Sequence, residues 1–141
     1  AQINREFFQN RSLPSMELER IVLDRMTFKC QGTFVYSYLN QEDFEACHAI
    51  KADAEALINT LRCIRGVRVA LILKQTTPGE VRGSLRAKDE ETDVAQVARA
   101  FGGGGHKAAA GLTFKGSLEE ALCAVPAEVI KLCFSDESEA C

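Results

Sequence analysis

Tryptophan is absent from this chain, and proline occurs three times and histidine twice in 141 residues. The two histidines, His48 and His106, stand far apart, and no Asp-His-His or His-x-Asp grouping occurs, so the clustered ligands that hold catalytic divalent ions are missing. The six cysteines, Cys30, Cys47, Cys63, Cys123, Cys133 and Cys141, include no Cys-x-x-Cys pair and no matching His cluster, which argues against zinc. Their dispersal among apolar segments predicts reduced, mostly structural thiols in a cytoplasmic protein. The even count keeps a secreted, disulfide-bonded chain as the alternative. No signal peptide, membrane-length apolar run, internal repeat or low-complexity segment is visible. Charge of one sign is also lacking: 17 basic against 20 acidic residues leave a net charge of -3. The global field therefore does not draw nucleic acid, and any anion site must be local.

What is present suffices for one compact domain, since 46% of the residues are hydrophobic and the length supports a single core. The first residue is not Met and the chain opens mid-pattern, as expected of a piece of a longer protein. Ile3, Phe7 and Phe8, at helical spacing, suggest a short helix within residues 1–11. Leu18, Ile21, Val22 and Met26 predict an amphipathic helix over 16–26 with Ser15 as its cap. Thr33 to Leu39 reads as a strand in which Tyr36 and Tyr38 pack rather than stack on a base. Residues 53–64 read as a helix closed by Gly66, and Val67 to Leu73 as a central strand covered on both faces. Thr77-Pro78-Gly79 turns the chain back into a strand over 80–87. Its alternation places Val81, Gly83 and Leu85 on one side and Arg82, Ser84 and Arg86 on the other. Asp93, with Gln96 at the capping-box position, opens a helix that Gly102 stops. Leu112 to Lys115 is a short strand, and Ser117 to Glu120 is a capping box for a last helix that Pro126 kinks or divides. This order gives an α/β fold: a mixed β-sheet of about four to five strands with helices packed on it.

Four of the ten glycines stand together in Phe101-Gly102-Gly103-Gly104-Gly105-His106-Lys107. Glycine tolerates positive φ and close approach, so such a run can turn several N–H groups toward one anion. His106 and Lys107 add donors and positive charge at the start of what reads as a short Ala-rich helix over 108–110, whose N-terminus also favours an anion. A flexible linker would be longer and flanked by polar sequence. The P-loop pattern fails because Ala108 follows Lys107, and the dinucleotide fingerprint fails because Lys107 occupies its third Gly.

Gly103 to Gly111 has the form Gly-Gly-Gly-His-x-x-Ala-Ala-Gly. With Gly66-Val-Arg-Val-Ala-Leu71, Gly83-Ser-Leu-Arg86 and Asp93-Val-Ala-Gln-Val-Ala98, it resembles the C-terminal substrate-binding domain of DHH-family phosphoesterases. The order resembles most the subgroup of short-oligonucleotide exonucleases that also dephosphorylate adenosine 3',5'-bisphosphate. The resemblance implies a substrate-binding domain over 1–134, with 1–30 a helical lead-in from an absent catalytic domain and 135–141 a frayed acidic tail. It also implies that manganese and the catalytic residues belong to that other domain, leaving neither in this chain. Substrate phosphate would be held by Arg86, Gly103, Gly104, Gly105 and His106, with Ser84, Lys107 and Arg82 as further candidates. The implied partners are short RNA, DNA or nucleotide phosphates and the catalytic domain, without a membrane. Charge mix does not decide between monomer and homodimer. Polyphosphate and cyclic dinucleotides remain as substrates within the same class. The readings outside it are a non-catalytic nucleic-acid module, like that appended to alanyl-tRNA synthetases, and a purely structural domain.

Overall fold

Strand pairing decides the architecture. In the computed structural model, which describes residues 10–135, six strands form one mixed sheet in the order β1-β2-β3-β4-β6-β5. The chain runs α1 (Leu13–Asp24), β1 (Thr27–Lys29), β2 (Phe34–Leu39), α2 (Gln41–Ala46), a 3-10 turn (Lys51–Ala54), α3 (Leu57–Arg62), β3 (Val69–Thr77), β4 (Glu80–Ala87), α4 (Ala95–Ala100), β5 (Gly104–His106), β6 (Ala109–Lys115) and α5 (Leu118–Cys133). Only β2 and β3 pair in parallel, and α2, the 3-10 turn and α3 form their crossover. The other pairs are antiparallel. The six strands exceed the four or five expected, because β1 and β5 are three-residue edge strands too short for an alternation to show. The expected helix over 1–11 falls almost wholly outside the described residues, as does the tail from 136 onward.

Two apolar layers sandwich the centre of the sheet. On one face Val35, Leu39, Ala70 and Ile72 pack with Leu18 and Val22 of α1, Phe44 of α2, and Leu57, Ile58 and Leu61 of α3. On the other, Leu71, Leu73, Val81, Leu85, Ala110 and Leu112 pack with Val97 and Ala98 of α4 and Ala121, Val125 and Val129 of α5. The residues of β3 from Val69 to Leu73 serve both layers in alternation, hence their unbroken apolar run. Tyr36 and Tyr38 pack against the second layer.

Several helix ends differ from expectation. α1 begins earlier, with the Ser12 hydroxyl accepting from the Ser15 N–H and Pro14 in the first turn. Proline is pre-shaped for that place. The helix expected over 53–64 is divided, because Asp53 accepts from the Ile50 N–H and from the Ser12 hydroxyl and so ties a 3-10 turn to α1. No Asp93–Gln96 capping box forms: α4 starts at Ala95, whose N–H donates to the Asp93 carboxylate. α5 carries the expected Ser117–Glu120 box and continues through Pro126 without division. Cys30 is disulfide-bonded, against the expectation of reduced thiols. It is turned inward between β1 and β2, where spatial neighbours rather than sequence spacing decide pairing. Cys47, Cys63, Cys123 and Cys133 are free.

Candidate functional site

The residues after the glycines form a β-hairpin, not a helix. Gly104–His106 pairs with Ala109–Gly111, and Lys107 and Ala108 make the turn. Three alanines are too few to nucleate a helix, whereas the strand period lets Ala110 and Leu112 enter the core opposite Leu85 and Gly83. The hairpin is tied down at its tip: the Val94 N–H donates to the Lys107 carbonyl and the Ala87 N–H to the Ala108 carbonyl. The helix N-terminus expected behind His106 and Lys107 is therefore not there.

The glycines divide by task. Gly102, at φ 79°, closes α4, its N–H donating to the Arg99 carbonyl and the Gly103 N–H to the Ala98 carbonyl. This is a Schellman motif. It uses the N–H groups that an anion nest would have needed from Gly102 and Gly103. A Cβ at Gly103 would lie 2.3 Å from the Gly111 carbonyl oxygen. At Gly105, where φ is 144°, it would lie 2.6 Å from the Ala110 Cα. Both are demanded by backbone packing. Gly104 is different, for a Cβ there meets nothing within 4 Å, and at Gly111 it would make only an ordinary 3.6 Å contact with the Gly83 carbonyl oxygen.

Cross-strand partners share a face, so the register lays out the site. One row runs Ala70, Arg86, Ala109, His106; the next, Ile72, Ser84, Gly111, Gly104; the next, Lys74, Arg82, Thr113. The first layer of helices covers this face over β2 and β3. Beyond β3, Arg82, Gly104, His106 and Gly111 are exposed, and Ser84, Arg86, Ala109 and Thr113 half-buried. The result is a shallow floor of small residues with cations around it. Of the residues expected at the site, Arg82, Ser84, Arg86, Gly104 and His106 share this face. Gly103 and Gly105 support it from behind, and Lys107 is exposed at the hairpin tip.

Arg86 donates to the Leu85 carbonyl at 2.8 Å and has no carboxylate partner among the described residues. Burial, and then the charge of Arg62 at the end of α3, hold its guanidinium below the ordinary value. Lys74, which the sequence reading did not single out, stands on the same face. Burial pushes its ammonium down, the charges of Arg86 and Arg82 add to this, and Glu55 opposes. Its only sequence signal was its place one step beyond the apolar run of β3. Beside it, a groove of about 570 Å³ is lined by Lys74, Arg82, Ser84, Gly103, Thr113 and Lys115, among others. His48, the other histidine, is exposed and ends α2 at φ 53°. Among the described residues no group of His, Cys, Asp or Glu is placed to hold a metal ion, so no step through manganese can be assigned to them.

The solved structure of an exopolyphosphatase-related protein from Bacteroides fragilis matches with TM-score 0.80 and 25% identity, over 92% of this chain and 38% of that one. A pGpG-specific phosphodiesterase from Vibrio cholerae matches with TM-score 0.57 and 16% identity, over 84% of this chain and 38% of that one. The C-Ala domain of alanyl-tRNA synthetase from Aquifex aeolicus matches with TM-score 0.52 and 16% identity, over 74% of this chain and 96% of that one. The last two likenesses are of fold alone. This chain thus spans well under half the length of the first two proteins. The DHHA1 domain pattern matches residues 31–131, a span that includes Arg86, the glycine run and the whole sheet from β2 to β6, and the chain belongs to the DHHA1 domain family.

Proposed function

We propose that this chain is the substrate-holding part of a DHH-family phosphoesterase that acts on short oligonucleotides or nucleoside 3',5'-bisphosphates, with manganese and the hydrolytic residues supplied by another part of the protein. The observation that carries this reading is Arg86, a half-buried guanidinium without a carboxylate partner among the described residues, in one row with His106 across the small Ala109. A guanidinium taken partly out of water and left near a second cation is costly until an anion joins it. Its planar fork suits two phosphate oxygens at once. His106 donates to the same phosphate from the edge strand, and Gly104, lacking a Cβ, lets the ligand lie against the sheet. Ser84 offers a hydroxyl beside it, and Lys107 adds charge at the hairpin tip. These groups bind and orient. The kinship with an exopolyphosphatase-related protein and the fold of a pGpG phosphodiesterase support a phosphate-bearing ligand in general and leave the choice among phosphate chains to experiment.

The test is a titration of this chain with adenosine 3',5'-bisphosphate at low salt, beside Arg86→Ala and His106→Ala. Each substitution is expected to weaken binding about tenfold or more, roughly 1.4 kcal/mol. Equal affinity in all three proteins, or no binding by the unmodified chain, would overturn the reading.

A further inference from the structure

The phosphate reading uses one end of the open face, and its other end carries cations that the reading leaves idle. Resting on that reading, we propose that Lys74 and Arg82, with the Thr113 hydroxyl, form a second anion subsite. The ligand is then a linear chain with phosphates at both ends of the face, longer than one nucleoside bisphosphate.

Three observations place the subsite. Lys74 and Arg82 are direct cross-strand partners, as are Arg82 and Thr113, so their side chains rise together at the wall of the groove of about 570 Å³. Arg82 stands four residues before Arg86 on β4, a separation of ~13 Å along a strand. The two guanidiniums also hold to different anchors: Arg82 Nε lies 3.6 Å from Glu80 Oε1, beyond it on the strand, while Arg86 stays at the Leu85 carbonyl. Lys74 makes no ion pair among the described residues. The carboxylates facing the subsite are Glu80, which Lys115 holds at 2.9 Å, and Glu55, whose charge reaches Lys74. One nucleoside puts six bonds between its 3' and 5' phosphorus atoms, a reach of ~7 Å, so two nucleoside units match the separation. A bare polyphosphate chain carries the same chemistry.

The measurement is the length gain, the ratio of affinities for 3',5'-bisphosphorylated diadenosine and for adenosine 3',5'-bisphosphate in one protein. A gain of about tenfold or more is expected in the unmodified chain, falling to about twofold or less in Lys74→Ala and in Arg82→Ala and retained in Lys74→Arg. Because the gain is a ratio within one protein, a variant with reduced folded fraction does not mimic its loss. A gain near one in the unmodified chain, or one intact in both alanine variants, overturns the second subsite. Failure of the underlying reading shows elsewhere, as an Arg86→Ala protein that binds the short ligand unchanged. Inorganic pentaphosphate distinguishes the source of the chain. If it binds as tightly as the dinucleotide and loses affinity in Lys74→Ala, the face takes phosphate chains as such; if it binds weakly while the dinucleotide keeps its gain, a nucleotide backbone is required. Either result supports the second subsite.

Discussion

Within the run Gly102–Gly105, Gly104 is the glycine whose purpose the backbone does not explain. Its three neighbours turn the chain or let strands approach, but a Cβ at Gly104 projects into open space above the site. The pair Gly103→Ala and Gly104→Ala should therefore separate fold from function. Gly103→Ala forces a methyl group against the Gly111 carbonyl and is expected to cost about 2 kcal/mol or more. Gly104→Ala should change stability by less than about 0.5 kcal/mol yet weaken binding of adenosine 3',5'-bisphosphate severalfold. Urea denaturation alongside ligand titration checks both, and a Gly104→Ala protein that binds normally would remove the glycine from the site. The alternation Arg82-Ser84-Arg86 was legible in sequence because a strand exposes every second residue. The separate duties of four adjacent glycines were not, since each depends on which backbone lies opposite. Lys74 escaped for a related reason: its partner Arg82 belongs to the next strand, and one strand's pattern does not show what stands beside it.

At the scale of elements, α4 and the hairpin behave as one device. The helix ends in a left-handed Gly102, and the chain leaves it directly into β5, so the angle of that exit sets where Gly104 and His106 lie. Gly102→Ala places a Cβ in a left-handed conformation and is expected to cost about 1–2 kcal/mol. Amide hydrogen exchange should then accelerate at Gly104–His106 more than in α3, which packs in the other apolar layer; uniform exchange in the two would disconnect the helix end from the hairpin. Caps built from neighbours in sequence, such as Ser117 with Glu120, could be read directly. Ser12 and the interrupted helix at Asp53 could not, because the hydroxyl of one answers the carboxylate of the other across 41 residues. The Ala-rich segment misled for a stronger reason. Alanine's helix propensity is a fraction of a kcal/mol per residue, and pairing with β4 while Ala110 enters the core outweighs it.

For the molecule as a whole, β3 is the shared wall of two cores. Leu71 is fully buried in the layer under α4 and α5, and Ile72, 1% exposed, in the layer under α1 and α3. Leu71→Ala and Ile72→Ala are each expected to cost about 2–5 kcal/mol and to lower one cooperative transition, since neither layer has a sheet without β3. Two resolved transitions in calorimetry would show the layers melting independently. The sequence by itself determined the α/β class, the β3–β4 hairpin, the side of β4 on which Arg82, Ser84 and Arg86 lie, and the likeness to DHH-family domains, because each depends on local periodicity, turn chemistry or short motifs. Tertiary structure alone decided that the glycines lead into a hairpin, that Gly104 and Gly111 form a bare floor, and that Lys74 joins Arg82. Those outcomes depend on strand register and on which face the helices leave uncovered, and both arise between segments distant in the chain.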